Sequence, residues 1–161
     1  MADQTRRKTK KDLLLLIAIL VVVGVAAAAL IPAISAGVIS GQYKTFVSRY
    51  TDSMNLSRKM GKVTVVTDSG EEKTSVDGAS QIYSLILDAG MGKPQSQTPE
   101  SPGKEIRFAD GAVMQFWGVE IPEASARRQD GLFVRYQATD GYIYQYDTDK
   151  LTMDSITVRL N

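Results

Sequence analysis

The chain has 161 residues, 43% hydrophobic and 23% charged, with 19 Lys and Arg against 18 Asp and Glu, a composition that suits one globular domain and argues against disorder over most of its length. His and Cys are both absent. That removes the commonest general base, the thiol nucleophile and the usual ligands of structural zinc and haem, and no cofactor is expected.

The charge is unevenly distributed. Arg6, Arg7, Lys8, Lys10 and Lys11 face only Asp3 and Asp12 in the first twelve residues, whereas from Gly41 onward 14 basic residues meet 16 acidic ones. A short basic head on a slightly acidic body carries no nucleic-acid footprint, so no nucleic-acid partner is expected. Residues 13–40 contain no charge at all. As a helix, Leu13 to Ile31 rises roughly 28 Å, close to the hydrocarbon thickness of a bilayer. The basic head sets the orientation, because Lys and Arg stay on the cytoplasmic side. The expectation is a single-pass anchor at the cell membrane, with the N-terminus cytoplasmic and the remainder extracytoplasmic.

The competing reading of the same segment is a cleaved secretory signal, since Ala33, Ser35 and Ala36 supply small residues of the kind signal peptidase reads. The apolar run exceeds the roughly 7 to 15 residues of a signal core, which favours a retained anchor. Expected organisation is a basic tail over 1–12, an anchor or signal over 13–40, an amphipathic stalk helix over 41–61 and an extracytoplasmic domain over 62–161.

In its Ile, Val and Ala content, in the Ala-Leu-Ile-Pro word at 29–32 and in the amphipathic stretch that follows, the N-terminal quarter resembles the helix of type IV pilins and pseudopilins. That resemblance implies assembly through the apolar helix and processing near residue 11. The family's motif, Gly then Phe and then a Glu within the helix, is not present; Lys10-Lys11-Asp12-Leu13-Leu14 stands there instead.

After the anchor, Tyr43, Phe46, Val47, Tyr50 and Met54 fall on one face of a helix that stops at Gly61, and a helix packed on the domain's own sheet is preferred to a free coiled-coil face. Residues 62–68 are dense in β-branched side chains and read as a strand, with a turn at 69–72 and a short return over 73–76. Asp77 then reads as the N-cap of a helix carrying Ile82, Leu85, Ile86 and Ala89, closed by Gly90. Residues 91–104 hold three of the five prolines and read as a surface loop.

The last third reads as antiparallel sheet. Apolar alternation flanks Asp110-Gly111 and again Asp140-Gly141, two signals of hairpins with two-residue turns. The words Asp-Gly-x-x-x-Gln-aromatic at 110–116 and 140–146 echo each other, which we read as shared hairpin geometry rather than duplication. Ile156, Val158 and Leu160 alternate as a closing edge strand would. The fold class expected is α+β, a small antiparallel sheet with one or two helices on one face.

A two-residue turn at Asp140-Gly141 would set Gln137 opposite Tyr144 and Arg135 opposite Tyr146. Tyr142, Tyr144 and Tyr146 would then share a face with Phe133, Arg135 and Gln137, leaving Leu132, Val134, Tyr136, Ala138 and Ile143 for the core. Arg135, Gln137, Tyr142, Tyr144 and Tyr146 form the candidate partner-binding face, because Tyr and Arg carry interface energy well. Asp147, Asp149 and Asp154 invite a calcium reading but lack the Gly and closing Glu of an EF-hand loop, and no metal is expected. Ser57 and Lys59 are two apart on a helix and do not face each other, so they make no catalytic pair. Arg127-Arg128 reads as a solvated loop. The function expected from location and missing catalytic groups is a binding or assembly module, not an enzyme, similar in style to exported domains of bacteria, with the bilayer and a protein on the outer face as partners; a secreted domain, a pilin-like subunit and, last, a carboxylate-dependent hydrolase are the alternatives.

Overall fold

The computed structural model describes residues 37–66, 70, 72–100, 103–122 and 128–160. The basic head with Arg6, Arg7, Lys8, Lys10 and Lys11, most of the apolar run, and the Arg127 side of the Arg127-Arg128 pair fall outside these. Among the described residues no helix is long and apolar enough to cross a membrane. The chain divides into two compact units, Met1–Gly41 and Gln42–Asn161. Of the first, residues 37–41 are described and are helical.

The second unit is an α+β domain built on one antiparallel sheet. Helix α1 covers residues 37–60. Strands β1 (Val63–Val66) and β2 (Glu72–Thr74) form a hairpin, and helix α2 (Val76–Ala89) follows. Then come β3 (Lys93–Pro94), β4 (Lys104–Phe108), β5 (Val113–Pro122), β6 (Arg128–Gln137), β7 (Ile143–Thr148) and helix α3 (Met153–Leu160). The sheet order is β2-β1-β4-β5-β6-β7-β3. All six pairings are antiparallel.

The three helices among the described residues, one more than the one or two expected, all contribute to one core. α1 buries Phe46, Tyr50 and Met54, one stripe at helical spacing, against Val65, Ile106, Met114, Val134, Tyr136 and Tyr146 from alternate strand positions. Fully burying one such side chain contributes about 1.5–3 kcal/mol. α2 adds Ala79, Ile82 and Ile86, and α3 adds Ile156 and Leu160. Gly78 is required where α2 meets the end of α3, since a Cβ there would lie 2.5 Å from the Arg159 carbonyl oxygen.

Four expectations are corrected. The C-terminal segment is helix rather than edge strand: Ile156 and Leu160, four apart, are buried while Val158 between them is 75% exposed. Positions i and i+4 satisfy a helix and a strand alike. The deciding groups lie at the N-terminus, where the Thr152 N–H donates to Ser155 Oγ and the Ser155 N–H to the Thr152 carbonyl. α2 begins at Val76, one residue ahead of Asp77, which lies in its first turn with Ser75 as the N-cap residue. The 91–104 stretch contributes the short strand β3, which pairs with β7.

The fourth correction is the register of the second hairpin. The Ala138 N–H donates to the Tyr142 carbonyl at 2.9 Å, and Gly141, at φ 87°, donates to the Ala138 carbonyl at 3.2 Å. The loop therefore has three residues, with a left-handed glycine closing it, rather than two, and the Asp110-Gly111 hairpin is corrected likewise, its Phe108 N–H donating to the Ala112 carbonyl at 2.9 Å. Gln137 faces Ile143, Tyr136 faces Tyr144 and Arg135 faces Gln145. One residue of register moves every side chain to the other face, so Tyr144 and Tyr146 go to the core and Ile143 is 45% exposed.

Candidate functional site

The two Asp-Gly hairpins share more than a turn. At 110–112, as at 140–142, the Asp Oδ1 accepts the N–H of the residue two positions on, which holds the loop. In each, Oδ2 is then free to receive α1. Ser53 Oγ donates to Asp110 Oδ2 at 2.6 Å, and Arg49 Nη1 donates to Asp140 Oδ2 at 2.6 Å. Arg49 and Ser53 are four apart on one helical face, so one side of α1 is fastened to both turns. Ser53 Oγ also meets the Tyr136 hydroxyl at 2.9 Å, Ser57 Oγ accepts the Ala109 N–H, and the Arg49 guanidinium sits 4.6 Å over the Tyr142 ring. The Tyr142 hydroxyl donates to the Gln42 carbonyl at 3.1 Å. Arg49 holds the Asp140 carboxyl below the usual carboxylate range.

Tyr142, Tyr144 and Tyr146 thus lie on the α1 side of the sheet. Phe46 stacks on Tyr144 at 5.0 Å between centroids and meets Tyr146 edge-on at 6.0 Å. Burial pushes the Tyr144 hydroxyl up to about 12 and raises that of Tyr146 further. Neither hydroxyl has a hydrogen-bond partner among the described residues. The expected partner face is therefore split: Arg135 and Gln137 lie on the face turned away from α1, and Tyr144 and Tyr146 do not join them.

That outer face carries a chain of polar contacts running across the strands. Arg135 Nη1 on β6 donates to Gln115 Oε1 on β5 at 3.2 Å, and Gln115 Nε2 donates to Glu105 Oε2 on β4 at 2.8 Å. Arg107 completes it, with Nε on Glu105 Oε1 at 2.6 Å and Nη1 on Glu72 Oε1 at 2.7 Å. Arg107 is saturated with charge; Arg135 meets one neutral amide oxygen, and its Nε is buried with no partner among the described residues. Directly opposed across β5 and β6, Trp117 and Phe133 pack edge to face at 5.2 Å and are 4% and 2% exposed, a small apolar island on the outer face.

At the β7 end of this face, the segment after β3 folds alongside the strand. The Gln95 N–H donates to the Gln145 carbonyl at 3.2 Å, Gln145 Nε2 donates to the Gln95 carbonyl, and Thr98 Oγ1 donates to Gln145 Oε1 at 3.0 Å. Gln95 Nε2 reaches Asp147 Oδ2 at 2.5 Å. Burial raises the Asp147 carboxyl. A groove of about 450 Å³ opens here between Gln95, Ser96, Thr98, Arg135, Ile143 and Gln145, bordered by Gln42, Tyr142 and Tyr144. It offers many hydrogen-bonding groups and, among the described residues, one cation.

Arg135 was legible from the sequence. Gln95, Thr98, Gln115 and Gln145 were not, although the Gln shared by the two echoed words marks two of them, one on each side of Arg135. Among the described residues no three acidic side chains lie close enough to hold a metal ion. No protein-family model matches the chain, and no curated protein or solved structure does either.

Proposed function

We propose that this protein is a membrane-tethered binding module whose α+β domain works on the extracytoplasmic side without catalysing a reaction. The observation that carries the tether is the uncharged run over 13–40 behind Arg6, Arg7, Lys8, Lys10 and Lys11. The groove around Arg135 supports a binding role, as it offers donors and acceptors with, among the described residues, no nucleophile and base in contact. The serines nearest to carboxylate or amide partners are spent on the fold, Ser53 on Asp110 and Ser57 on Ala109.

Intact mass in separated membrane and culture-fluid fractions tests the tether. A full-length mass in the membrane, with the domain removable by protease added outside intact cells, is the expected result. A chain shortened near Ser35 or Ala36 and free in the fluid overturns the tether in favour of a secreted domain. A mature N-terminus near residue 11 overturns it in favour of a pilin-like subunit.

A further inference from the structure

We infer that the β7 edge of the Arg135 groove takes an extended segment of a partner protein as an added strand, and that Arg135 takes a carboxylate side chain from that segment. This deepens the binding-module reading and rests on it.

The edge is the first observation. β3 pairs with β7 only at Asp147 and Tyr146, and the Gln95 N–H extends the contact to the Gln145 carbonyl. Because Ala138 closes the hairpin on Tyr142, the backbone groups of Tyr142 and Tyr144 turn toward β6, and those of Ile143 turn the other way. On that side Ile143 has no strand beside it, among the described residues. An exposed edge with a groove along it is where a strand adds, its backbone supplying affinity and its alternate side chains supplying selectivity. Ile143, 45% exposed, offers that strand an apolar contact.

Charge is the second. Arg135 is the one charged side chain lining the groove, and it has no ion-pair partner among the described residues. Arg107, on the same face, has two. Arg135 Nη1 meets only a neutral amide oxygen, so the guanidinium has no carboxylate against it, and an arriving carboxylate exchanges a neutral acceptor for a charged one. Strands lie about 4.8 Å apart and rise about 3.4 Å per residue, so a residue added opposite Ile143, two positions along β7 from the Gln145 that faces Arg135, stands roughly 12 Å from Arg135. An arginine and a glutamate side chain together span that distance.

The test uses the full chain in lipid nanodiscs and three blocked, fluorescently labelled pentapeptides: Thr-Val-Glu-Val-Thr, the same with Gln at the centre, and the Glu peptide with its central nitrogen methylated. The Glu peptide is expected to bind about tenfold more tightly than the Gln peptide, since a charged hydrogen bond is lost in the latter. Arg135→Gln is expected to equalise the two, Arg135→Lys to keep part of the difference, and methylation to abolish binding by removing a ladder hydrogen bond. Equal binding of the Glu and Gln peptides to the native chain overturns the inference, and that comparison stands even where Arg135→Gln fails to fold. Undiminished binding of the methylated peptide overturns the added strand. Sedimentation showing a dimer that Ile143→Lys dissolves overturns it too, giving the edge to a second copy. Failure here with a full-length chain in the membrane leaves the tether standing, whereas a shortened chain in the fluid removes the tether whatever the peptides do.

Discussion

The two Asp-Gly hairpins have the same backbone and opposite surroundings. Both close a three-residue loop on a glycine near φ 86–87°, and both present an aspartate to α1. Down the core face the first carries Ala112, Met114 and Phe116, and the second carries Tyr142, Tyr144 and Tyr146. The first lies in the middle of the sheet and answers α1 with a half-buried serine contact; the second lies near its edge and answers with an exposed ion pair. One local motif therefore yields a half-buried clamp where the sheet is covered and a solvated one where it ends.

Alkaline titration breaks this symmetry most strongly. An unfolded tyrosine ionises near 10, while burial holds the Tyr50 and Tyr146 hydroxyls protonated well above that. Their stabilisation is complete below about pH 10 and is lost as pH rises from there toward the folded values, by about 1.4 kcal/mol per pH unit for each. Denaturant melts from pH 9 to 11.5 check it, and Tyr146→Phe is expected to flatten the slope, with Phe116 showing that this position accepts phenylalanine in the first hairpin.

Next in size is the aspartate exchange. Asp110→Ala removes the acceptor of the Ala112 N–H and of Ser53 Oγ, leaving a buried serine under-satisfied, and is expected to cost about 2 kcal/mol in urea melts. Asp140→Ala is expected to cost less, and its effect is expected to fade in 1 M salt, because exposed ion pairs are screened. The Asp140 carboxyl is depressed by Arg49, so this contribution is present above the ordinary carboxylate pKa and is lost as pH falls through the lower folded value.

The glycines sharpen the comparison further. Gly111→Ala and Gly141→Ala each place a Cβ at positive φ, at about 1–2 kcal/mol. Gly111→Ala is expected to cost more, as its Cβ would meet Thr139 Cγ2 at 3.0 Å, whereas nothing lies within 4 Å of that of Gly141. Equal melting temperatures for the two variants would show that backbone strain alone decides. The smallest expected effect, and one of opposite sign, is Tyr146→Phe at neutral pH: it deletes a buried hydroxyl with no partner and is expected to leave stability unchanged or raise it by about 1 kcal/mol.

Most of the element order is legible locally. β-branched density marks β1, the spacing of Phe46, Tyr50 and Met54 marks α1, and each Asp-Gly marks a hairpin. Two readings fail for a reason that local pattern contains. Ile156 and Leu160 fit both periods, and a two-residue turn and a three-residue loop both suit Asp-Gly. That second ambiguity alone carried Tyr144 and Tyr146 from the expected partner face into the core. The groove was illegible for another reason: Gln95 and Thr98 reach Gln145 across about fifty residues of chain, and no short window holds both.

The amino-acid sequence by itself determined the uncharged run behind a basic head, the amphipathic character of α1 and the presence of two matched hairpins, because each is a property of neighbouring residues. Which face those hairpins bury, that α3 is a helix, and that Arg135 stands in a groove at the sheet's edge were decided only by the tertiary structure. Side chains alternate with a period of two, so a single residue of register inverts a face, and what covers each face comes from elements distant in the chain.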